Sequence, residues 1–340
     1  MKGSHRIIVE SRKVKYDFII KRNITILTGD SGSGKTVLID LIHDYRRYGA
    51  DSGVQLSCDR ACRTIDSEDW ERELKEISDS IIFIDEGNRF LKSKKFAELV
   101  QGSDNYFVIA TREKLPTLPY SINEIYGFRE SGKFHNTRQT YNELYHLYGE
   151  ISAETTIVPQ MIITEDSNSG YQFFSELAKA QKITCISADG KSNIIQKLEE
   201  NRDIKGTKLI IADGAAFGSE MRELNVYLNN IENAALYAPE SFEWLLLSCN
   251  IIPNINVQNI LQKPEDYIES KDFVSWERFF TALLIDKTKT SSVWSYTKKK
   301  LSKAYLSSKV INSVKKFMKI IYVFLTIFLY LLKCPQSLIL

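Results

Sequence analysis

Cysteine is scarce in this chain and has no paired spacing. The 340 residues contain five cysteines, an odd number, and only four histidines. A disulfide framework needs an even, regularly spaced set, so the pattern is typical of reduced thiols in a cytosolic protein. Cys58 and Cys62 are spaced like half of a zinc site, but no second pair lies nearby. The five cysteines are Cys58, Cys62, Cys185, Cys249 and Cys334.

The chain also has no recognisable signal peptide, and its carboxyl-terminal part has no acidic residues to balance its lysines. The first residues, MKGSHRIIVESRK, contain no apolar core of signal-peptide length, so we expect a cytoplasmic protein. From Lys287 to the end there are eleven lysines and no acidic residue. Because the whole chain carries +2, subtracting this +11 leaves −9 on residues 1–286. The main body is therefore acidic and the tail is basic.

A glycine-rich segment follows a short apolar run at Ile24 to Thr36, with the sequence ITILTGDSGSGKT. Glycines allow backbone dihedrals closed to other residues, so successive N–H groups can turn inward around a polyphosphate. Val37 to Tyr45 has apolar residues at helical spacing, which completes the strand–loop–helix setting of a phosphate-binding loop. The predicted nucleotide-binding residues are Gly29, Asp30, Ser31, Gly32, Ser33, Gly34, Lys35, Thr36 and Val37.

A second chemical landmark is Ser80 to Glu86, with the sequence SIIFIDE. A buried parallel strand is a continuous apolar run, and its carboxyl end opens onto the ligand crevice of the sheet. Lys35 is expected to reach the β and γ phosphates, and Thr36 and Asp85 to hold Mg²⁺. Glu86 is expected to polarise the attacking water.

A further parallel strand is predicted at Tyr106 to Ala110, ending in Thr111 and Arg112. The region resembles additional-strand P-loop ATPases, in which the strand next to the one with the Asp-Glu ending itself ends in a residue that senses the γ phosphate. The resemblance implies this role for Thr111 or Arg112, and the alternative is that Arg112 is an ordinary surface cation. Other predicted elements are two strands within His5 to Ile20, a strand at Val54 to Cys58, a helix at Ser67 to Ile77 capped by Ser67, and a strand at Ile122 to Phe128.

Together these segments resemble a P-loop NTPase of the additional-strand class, with Walker A and Walker B motifs. The strand pair before the loop is similar to the start of ABC- and SMC-like ATPases, but the sequence contains no LSGGQ-like signature. The resemblance implies a doubly wound parallel sheet over residues 1–155. It also implies Lys35, Glu86 and Arg112 as catalytic residues, with ATP and Mg²⁺ as cofactors.

From Thr156 a second α/β pattern begins. Strands are predicted at Ile157 to Thr164, Ile183 to Ser187 and Lys208 to Ala212, with helices between them. The first strand ends in Glu165 and the third in Asp213. The handedness of parallel crossovers predicts that both acids lie at one edge of one sheet.

This arrangement resembles a TOPRIM domain, predicted here for residues 156–235. The family has a Glu after its first strand and an Asp-x-Asp after a later one, which together bind Mg²⁺, as in topoisomerases, primases and the overcoming-lysogenisation-defect ATPase-nucleases. Glu165 and Asp213 match, and they form a possible second metal site. Ala215 stands at the second Asp position. Three acids are candidates to replace it, unless the domain is non-catalytic or unrelated: Asp166, Asp189 and Glu220.

A helical region is predicted for residues 236–312, with helices at Phe242 to Ser248, around Ser275 to Ile285, and along the lysine-rich stretch from Lys298 to Lys309. Asn225 to Asn233 is expected to complete a preceding helix. A basic and hydrophobic segment, residues 313–340, contains the thirteen apolar or uncharged residues Ile320 to Leu332. Thirteen helical residues span about 20 Å, less than the roughly 30 Å of a bilayer core.

This tail leaves alternatives open. The apolar segment is a membrane attachment, a helix that packs in the protein or in an oligomer, or a disordered tail. The lysine cluster before it suits anionic lipid or nucleic-acid phosphates. We expect a P-loop ATPase that hydrolyses ATP to ADP and phosphate, coupled to a partner or nucleic acid and forming a homo-oligomer. The alternatives are an ATP-gated nuclease that acts on foreign DNA, a membrane-tethered nucleotide switch and a kinase.

Overall fold

The computed structural model describes residues 1–30, 32–131, 139–148, 158–231 and 233–321. The chain forms two compact units. The first contains Met1–Tyr148 and Gln262–Ser275, and the second contains Gly149–Leu261 and Trp276–Leu340. Both units combine strands with helices, which confirms the predicted α/β class.

The first unit contains nine described strands and three α-helices, named here in chain order. They are β1 (His5–Glu10), β2 (Val14–Ile20), β3 (Ile24–Leu27), α1 (Lys35–Tyr48), β4 (Gln55–Ser57), β5 (Ala61–Thr64), α2 (Trp70–Glu76), β6 (Ser80–Ile84), α3 (Lys94–Gln101), β7 (Tyr106–Ala110), β8 (Ile125–Glu130) and β9 (Thr140–His146).

These nine strands form one sheet in the order β4-β1-β2-β9-β8-β3-β7-β6-β5. The run from β8 to β5 is parallel throughout, and β1 pairs with β2 and β4 in antiparallel fashion. Every residue of β3, β6 and β7 is buried, which explains their uninterrupted apolar sequences. The predicted strand pair before the glycine-rich segment is confirmed, and so is the parallel strand β7, which lies between β3 and β6.

Two local predictions in this unit need correction. Ser67 does not cap a helix: α2 begins at Trp70 with Asp69 at its N-cap, and the Ser67 hydroxyl donates to Glu73 Oε1 at 2.6 Å. The strands β5 and β9 were not anticipated. They are short or half exposed, so neither has the apolar run that identifies β6 and β7.

The second unit contains four described strands, and the chain beyond residue 158 contains seven α-helices within the described residues. They are β10 (Pro159–Thr164), α4 (Ser169–Gln181), β11 (Thr184–Ser187), α5 (Ile194–Glu200), β12 (Thr207–Ile211), α6 (Gly218–Asn229), β13 (Ala234–Tyr237), α7 (Phe242–Ser248), α8 (Gln258–Gln262), α9 (Trp276–Thr288) and α10 (Ser308–Ile321).

The four strands form a parallel sheet in the order β11-β10-β12-β13. The three strands predicted from the sequence are confirmed. The helix expected to continue to Asn233 ends at Asn229, and β13 follows it as a fourth strand. Pairing with β12 buries Ala235, Leu236 and Tyr237, a contact that local sequence does not reveal.

The helix predicted from Lys298 to Lys309 is wrong over most of its length, because residues 298–307 are not helical and α10 begins only at Ser308. Leu301 and Tyr305 are buried four residues apart, which imitates helical spacing in a packed connection. The apolar segment Ile320 to Leu332 lies outside the described residues beyond Ile321. Within the described part of the chain, no helix has the length and apolarity needed to cross a membrane.

Candidate functional site

The carboxyl ends of β3, β7 and β6 lie side by side at one edge of the first sheet. The chain leaves β3 into the glycine-rich segment and enters α1 at Lys35. It leaves β6 at Asp85 and Glu86, and it leaves β7 at Thr111 and Arg112. Because carboxyl ends of parallel strands form the ligand crevice of open α/β sheets, this edge is the candidate site.

The backbone of the glycine-rich segment has the dihedrals that only glycine adopts easily. Gly29, Gly32 and Gly34 have φ values of 134°, 84° and 91°. Positive φ at successive positions turns backbone N–H groups toward one concave side, the geometry of an anion nest. The segment runs as predicted from Gly29 to the first turn of α1, where Val37 is exposed. Ser31 lies outside the described residues.

The Lys35 ammonium lies within the curve of this segment. Its Nζ donates to Gly29 O at 2.8 Å, to Asp30 O at 3.1 Å and to Ser33 Oγ at 2.9 Å. Burial lowers the pKa of Lys35, whereas the nearby carboxylates of Glu86, Asp85 and Asp30 raise it. The Lys35 ammonium therefore donates its hydrogen bonds to neutral oxygens. An anionic ligand can take the place of these acceptors and form stronger, charge-assisted hydrogen bonds.

Two predicted catalytic groups form an ion pair across the ends of neighbouring strands. Arg112 Nη2 lies 3.2 Å from Glu86 Oε1, and both side chains are partly exposed. Asp85 Oδ1 accepts the Glu86 backbone N–H at 2.8 Å. The charges of Glu86, Arg112 and Asp85 all affect the pKa of Lys35, so these three groups lie near its ammonium.

The two candidates for sensing the γ phosphate differ in their surroundings. Thr111 is buried, and its hydroxyl accepts the Glu113 backbone N–H at 3.0 Å. Arg112 extends into the solvent-exposed edge beside Glu86. The structure thus favours Arg112 over Thr111 as the group that can reach a ligand at this edge.

Asp40 is a residue that the sequence reasoning missed. It lies on α1 one turn after the exposed Thr36, and burial together with the nearby Asp85 carboxylate raises its pKa. Residues four apart on a helix share a face, so the spacing from Thr36 is a signal that the sequence contained. Thr36, Asp40 and Asp85 supply oxygen donors of the type that Mg²⁺ prefers.

In the second unit, the structure brings the predicted acids Glu165 and Asp213 together at the ends of β10 and β12. The Asp213 backbone N–H donates to Glu165 Oε2 at 3.0 Å, and Asp213 Oδ1 accepts the Phe242 N–H at 2.9 Å. Burial raises the pKa of Glu165 to about 7 and raises that of Asp213 well above its usual range. Both carboxyl groups are half-buried and accept hydrogen bonds from backbone N–H groups.

The three acids considered as replacements at the Ala215 position occupy different places. Asp166 accepts the backbone N–H groups of Gly170 and Tyr171 at the start of α4 and lines a small cavity with Glu165 and Asp213. The others are more distant from that role: exposed Asp189 accepts from Ser187 Oγ, and buried Glu220 accepts from Ser219 Oγ. Ala215 itself is buried.

A second group of polar side chains packs near these acids and was not anticipated. Tyr296 donates to Glu243 Oε1 at 2.6 Å, and Lys298 Nζ lies 2.6 Å from Glu277 Oε1. Glu277 and Glu243 help to raise the pKa of Asp213, and Lys298 lowers it. No signal in the sequence distinguishes Lys298, which stands first in a run of three lysines; the other two are exposed.

Within the described residues, no three His, Cys, Asp or Glu side chains are arranged as a metal-binding group. At the first site, a Mg²⁺ ion would therefore depend on Thr36, water and substrate oxygens in addition to carboxylates, which is the usual coordination of this ion. Comparisons of this chain with protein-family models and with curated proteins found no match.

Proposed function

We propose that this protein binds ATP with Mg²⁺ at the glycine-rich segment and hydrolyses it to ADP and phosphate. The observation that carries the proposal is the convergence of Lys35, Asp85, Glu86 and Arg112 at one sheet edge, beside a loop whose backbone curves around the Lys35 ammonium. A polyphosphate needs such a set of donors and cations, and a water attack needs a nearby carboxylate.

The strand order supports the additional-strand class of P-loop NTPase. In that class the strand beside Walker B ends in a residue that senses the γ phosphate. Here β7 pairs with both β3 and β6, and Arg112 follows β7 directly. The all-parallel run from β8 to β5 agrees with the doubly wound sheet of this class.

Each residue has a separate role in the proposed reaction. Lys35 and the loop N–H groups bind the β and γ phosphates and compensate the charge that develops on them. Glu86 orients water and accepts its proton, and Arg112 leaves Glu86 for the γ phosphate when ATP enters. Thr36 and Asp85 would hold Mg²⁺, which supplies further charge neutralisation when bound.

The partner to which hydrolysis is coupled is a further part of the proposal. The lysine-rich stretch that follows Asp286 suits an anionic partner, and nucleic acid and an acidic membrane surface are both candidates. A neighbouring copy of the chain is a third candidate, because P-loop ATPases often complete their site with an arginine from a neighbour. We place the protein in the cytoplasm.

The test measures phosphate release from ATP by wild type, Lys35→Ala and Glu86→Gln, each with and without double-stranded DNA and acidic liposomes. We expect turnover only in wild type, with nucleotide binding retained by Glu86→Gln. Lys75→Ala and Glu76→Gln, at exposed positions of α2, a helix that carries none of the proposed site residues, are matched controls that should behave as wild type. Wild type that neither binds nor hydrolyses ATP contradicts the proposal.

An ATP-gated nuclease is the second candidate function. Its support is the adjacency of Glu165 and Asp213 at the edge of a parallel sheet. The raised pKa values of both half-buried acids and their use as backbone acceptors weigh against it, because a metal ligand must be deprotonated and open to the ion. Mg²⁺-dependent DNA cleavage that is lost in Glu165→Ala while ATP binding survives would establish this activity.

A further inference from the structure

The glycine-rich segment is attached to the sheet through a buried tyrosine of β2. Tyr16 has no exposed surface, and its hydroxyl donates to the backbone oxygen of Gly34 at 2.8 Å. Its ring packs edge-on against Phe128 of β8, with 5.2 Å between ring centroids. Tyr16 is thus fixed by the sheet on one side and reaches the loop on the other.

The contact requires glycine at position 34. Gly34 is the N-cap of α1 with φ of 91°, and an added Cβ atom would lie 2.8 Å from the Tyr16 hydroxyl oxygen. Its carbonyl also accepts the first helical hydrogen bond, from Leu38 N at 3.0 Å. The Gly34 carbonyl therefore has two donors, one from α1 and one from β2.

Fixing this carbonyl also fixes the N–H of Lys35. The two groups belong to one planar trans peptide, in which the C=O and N–H bonds point in opposite directions. Since Tyr16 holds the carbonyl toward β2, the Lys35 N–H is directed away from β2, where the loop N–H groups can meet an anion. A hydrogen bond to the carbonyl also polarises the peptide and strengthens its N–H as a donor.

The hydroxyl is held in the donor role by its own neighbour. Asn142 of β9 stands opposite Tyr16 in the parallel pair, and hydrogen bonding with its side chain acts to lower the pKa of Tyr16. Because the single hydroxyl hydrogen goes to Gly34 O, Asn142 must contribute its amide N–H. Burial also raises the pKa of Tyr16 to about 12, so the hydroxyl keeps its hydrogen at neutral pH.

We propose that Tyr16 is a positioning residue for nucleotide binding, acting through the Gly34–Lys35 peptide that it holds in place. This inference rests on the proposed ATP site. It assigns to the β2–β9 part of the sheet a direct part in phosphate recognition, although neither strand carries a residue of the phosphate-binding motif.

The first experiment compares wild type with Tyr16→Phe, which removes one oxygen and keeps the ring. Titration with ADP, ATP and inorganic tripolyphosphate should show each Kd raised about fivefold to tenfold, the value of one hydrogen bond near a charged ligand. Turnover at saturating ATP should fall as well, because the loop N–H groups also compensate the charge that develops in the transition state. Unchanged Kd values would overturn the inference.

Tyr106→Phe is the matched control. Tyr106 is also a buried tyrosine of the same unit, and its hydroxyl lies 3.3 Å from Gly3 O and 3.4 Å from Lys21 O, near the amino end of β7. We expect this variant to lose thermal stability at least as much as Tyr16→Phe while its Kd values remain those of wild type. A Kd increase in both variants would show a general packing effect and overturn the positioning role.

A second variant tests the direction of the hydrogen bond and does not depend on Tyr16→Phe folding well. In Asn142→Asp a carboxylate replaces the amide donor and competes with Gly34 O for the tyrosine hydrogen. Its Kd for ADP should rise as in Tyr16→Phe, and combining the two changes should give no further increase. If the effects of the two substitutions on the Kd add, the proposed action of Asn142 on the loop through Tyr16 is overturned.

Wild type and Lys35→Ala separate this inference from the function on which it rests. If wild type binds ADP tightly, Lys35→Ala does not, and Tyr16→Phe matches wild type, the ATP site stands and only the role of Tyr16 fails. If wild type binds neither ADP nor tripolyphosphate, both fail.

Discussion

The two units bring charged side chains to the carboxyl ends of their parallel strands in opposite environments. In the first unit Lys35 and Arg112 alternate with Asp85 and Glu86, and most of these groups contact solvent. In the second unit Glu165 and Asp213 are half-buried, and desolvation raises the pKa of both, with Lys298 as a nearby cation. The same position in a sheet thus carries cations suited to an anion in the first unit, and carboxyl groups with raised pKa values in the second.

The difference follows from desolvation. A partly exposed pair of opposite charges keeps its ions hydrated and exchangeable, so an incoming phosphate can displace one partner. Buried carboxyl groups of like sign disfavour ionisation, which raises their pKa values. Under the proposed function, we therefore expect ligand chemistry in the first unit and pH-dependent stability in the second.

The largest expected effect separates the units by activity. Glu86→Gln should lower ATP turnover by about 10²-fold or more, since it removes a general base. Glu165→Gln should leave turnover within about twofold, because its acid belongs to the other cluster. Phosphate release at saturating ATP is the measurement. If both variants lose the same fraction of ATP turnover, the two clusters work as one site and the contrast between the units is wrong.

Stability against pH should distinguish the second unit. Burial raises the pKa of Glu165 from 4.5 to about 7, and that of Asp213 is also raised. Between these values the folded unit binds more protons than the unfolded chain, so its free energy of unfolding should fall as pH rises from about 4.5 to 7. For Glu165 alone the full change is about 3 kcal/mol, from 1.36 kcal/mol per pKa unit.

Urea unfolding followed by tryptophan fluorescence measures this change, because Trp244, Trp276 and Trp294 all belong to the second unit. Glu165→Gln should flatten the slope. Glu176→Gln, a change at a partly exposed position of α4, should leave it as in wild type. A wild-type stability that rises over the same pH interval is the result that would contradict the expected sign.

A smaller loss of stability is expected when the cation of the second cluster is removed. Lys298→Met keeps the length of the side chain but leaves Glu277 without its 2.6 Å partner. Because the pair is partly exposed, we expect a loss of about 1–2 kcal/mol at neutral pH, well below that of a fully buried pair. Lys299→Met, at the exposed neighbouring position, is the control and should change the free energy of unfolding by less than about 0.5 kcal/mol.

The smallest effect concerns thiol reactivity. A hydrogen bond with Cys62 lowers the pKa of Cys58 in the first unit, whereas burial raises those of Cys185 and Cys249 in the second to about 11 and about 12. Among the four cysteines that the structure describes, Cys58 should therefore react fastest with iodoacetamide near pH 7, as measured by peptide mass spectrometry. Cys62→Val should slow it several-fold. Faster labelling of Cys185 or Cys249 would show that access, rather than thiolate content, controls the rate.

The elements predicted correctly from the sequence are those whose own residues indicate whether the segment is buried or turns. The strands β3, β6 and β7 are apolar except for Thr25 and Ser80, because both faces are covered, and the glycines of the loop mark positive φ values that other residues avoid. The strands β9 and β13 were missed because their assignment depends on partners distant in the chain. The connection after Lys298 was read as a helix because packing placed two apolar residues at helical spacing.

For the candidate site, the sequence predicted the individual residues but not the contacts between them. Lys35, Asp85, Glu86 and Arg112 were proposed individually, but the ion pair of the last two and the closeness of Asp40 to Asp85 depend on strand order. No motif marks Tyr16, because a single tyrosine in a strand is ordinary until its hydroxyl is seen 2.8 Å from the Gly34 oxygen.

The sequence by itself determined where the chain can turn around an anion and which strands are buried, because backbone sterics and apolar runs act over a few residues. The tertiary structure alone decided which charged groups meet, which carboxyl groups lose water, and which hydroxyl supports the loop. Those outcomes depend on distances between residues far apart in the chain, and electrostatic and hydrogen-bond energies change steeply with distance and burial.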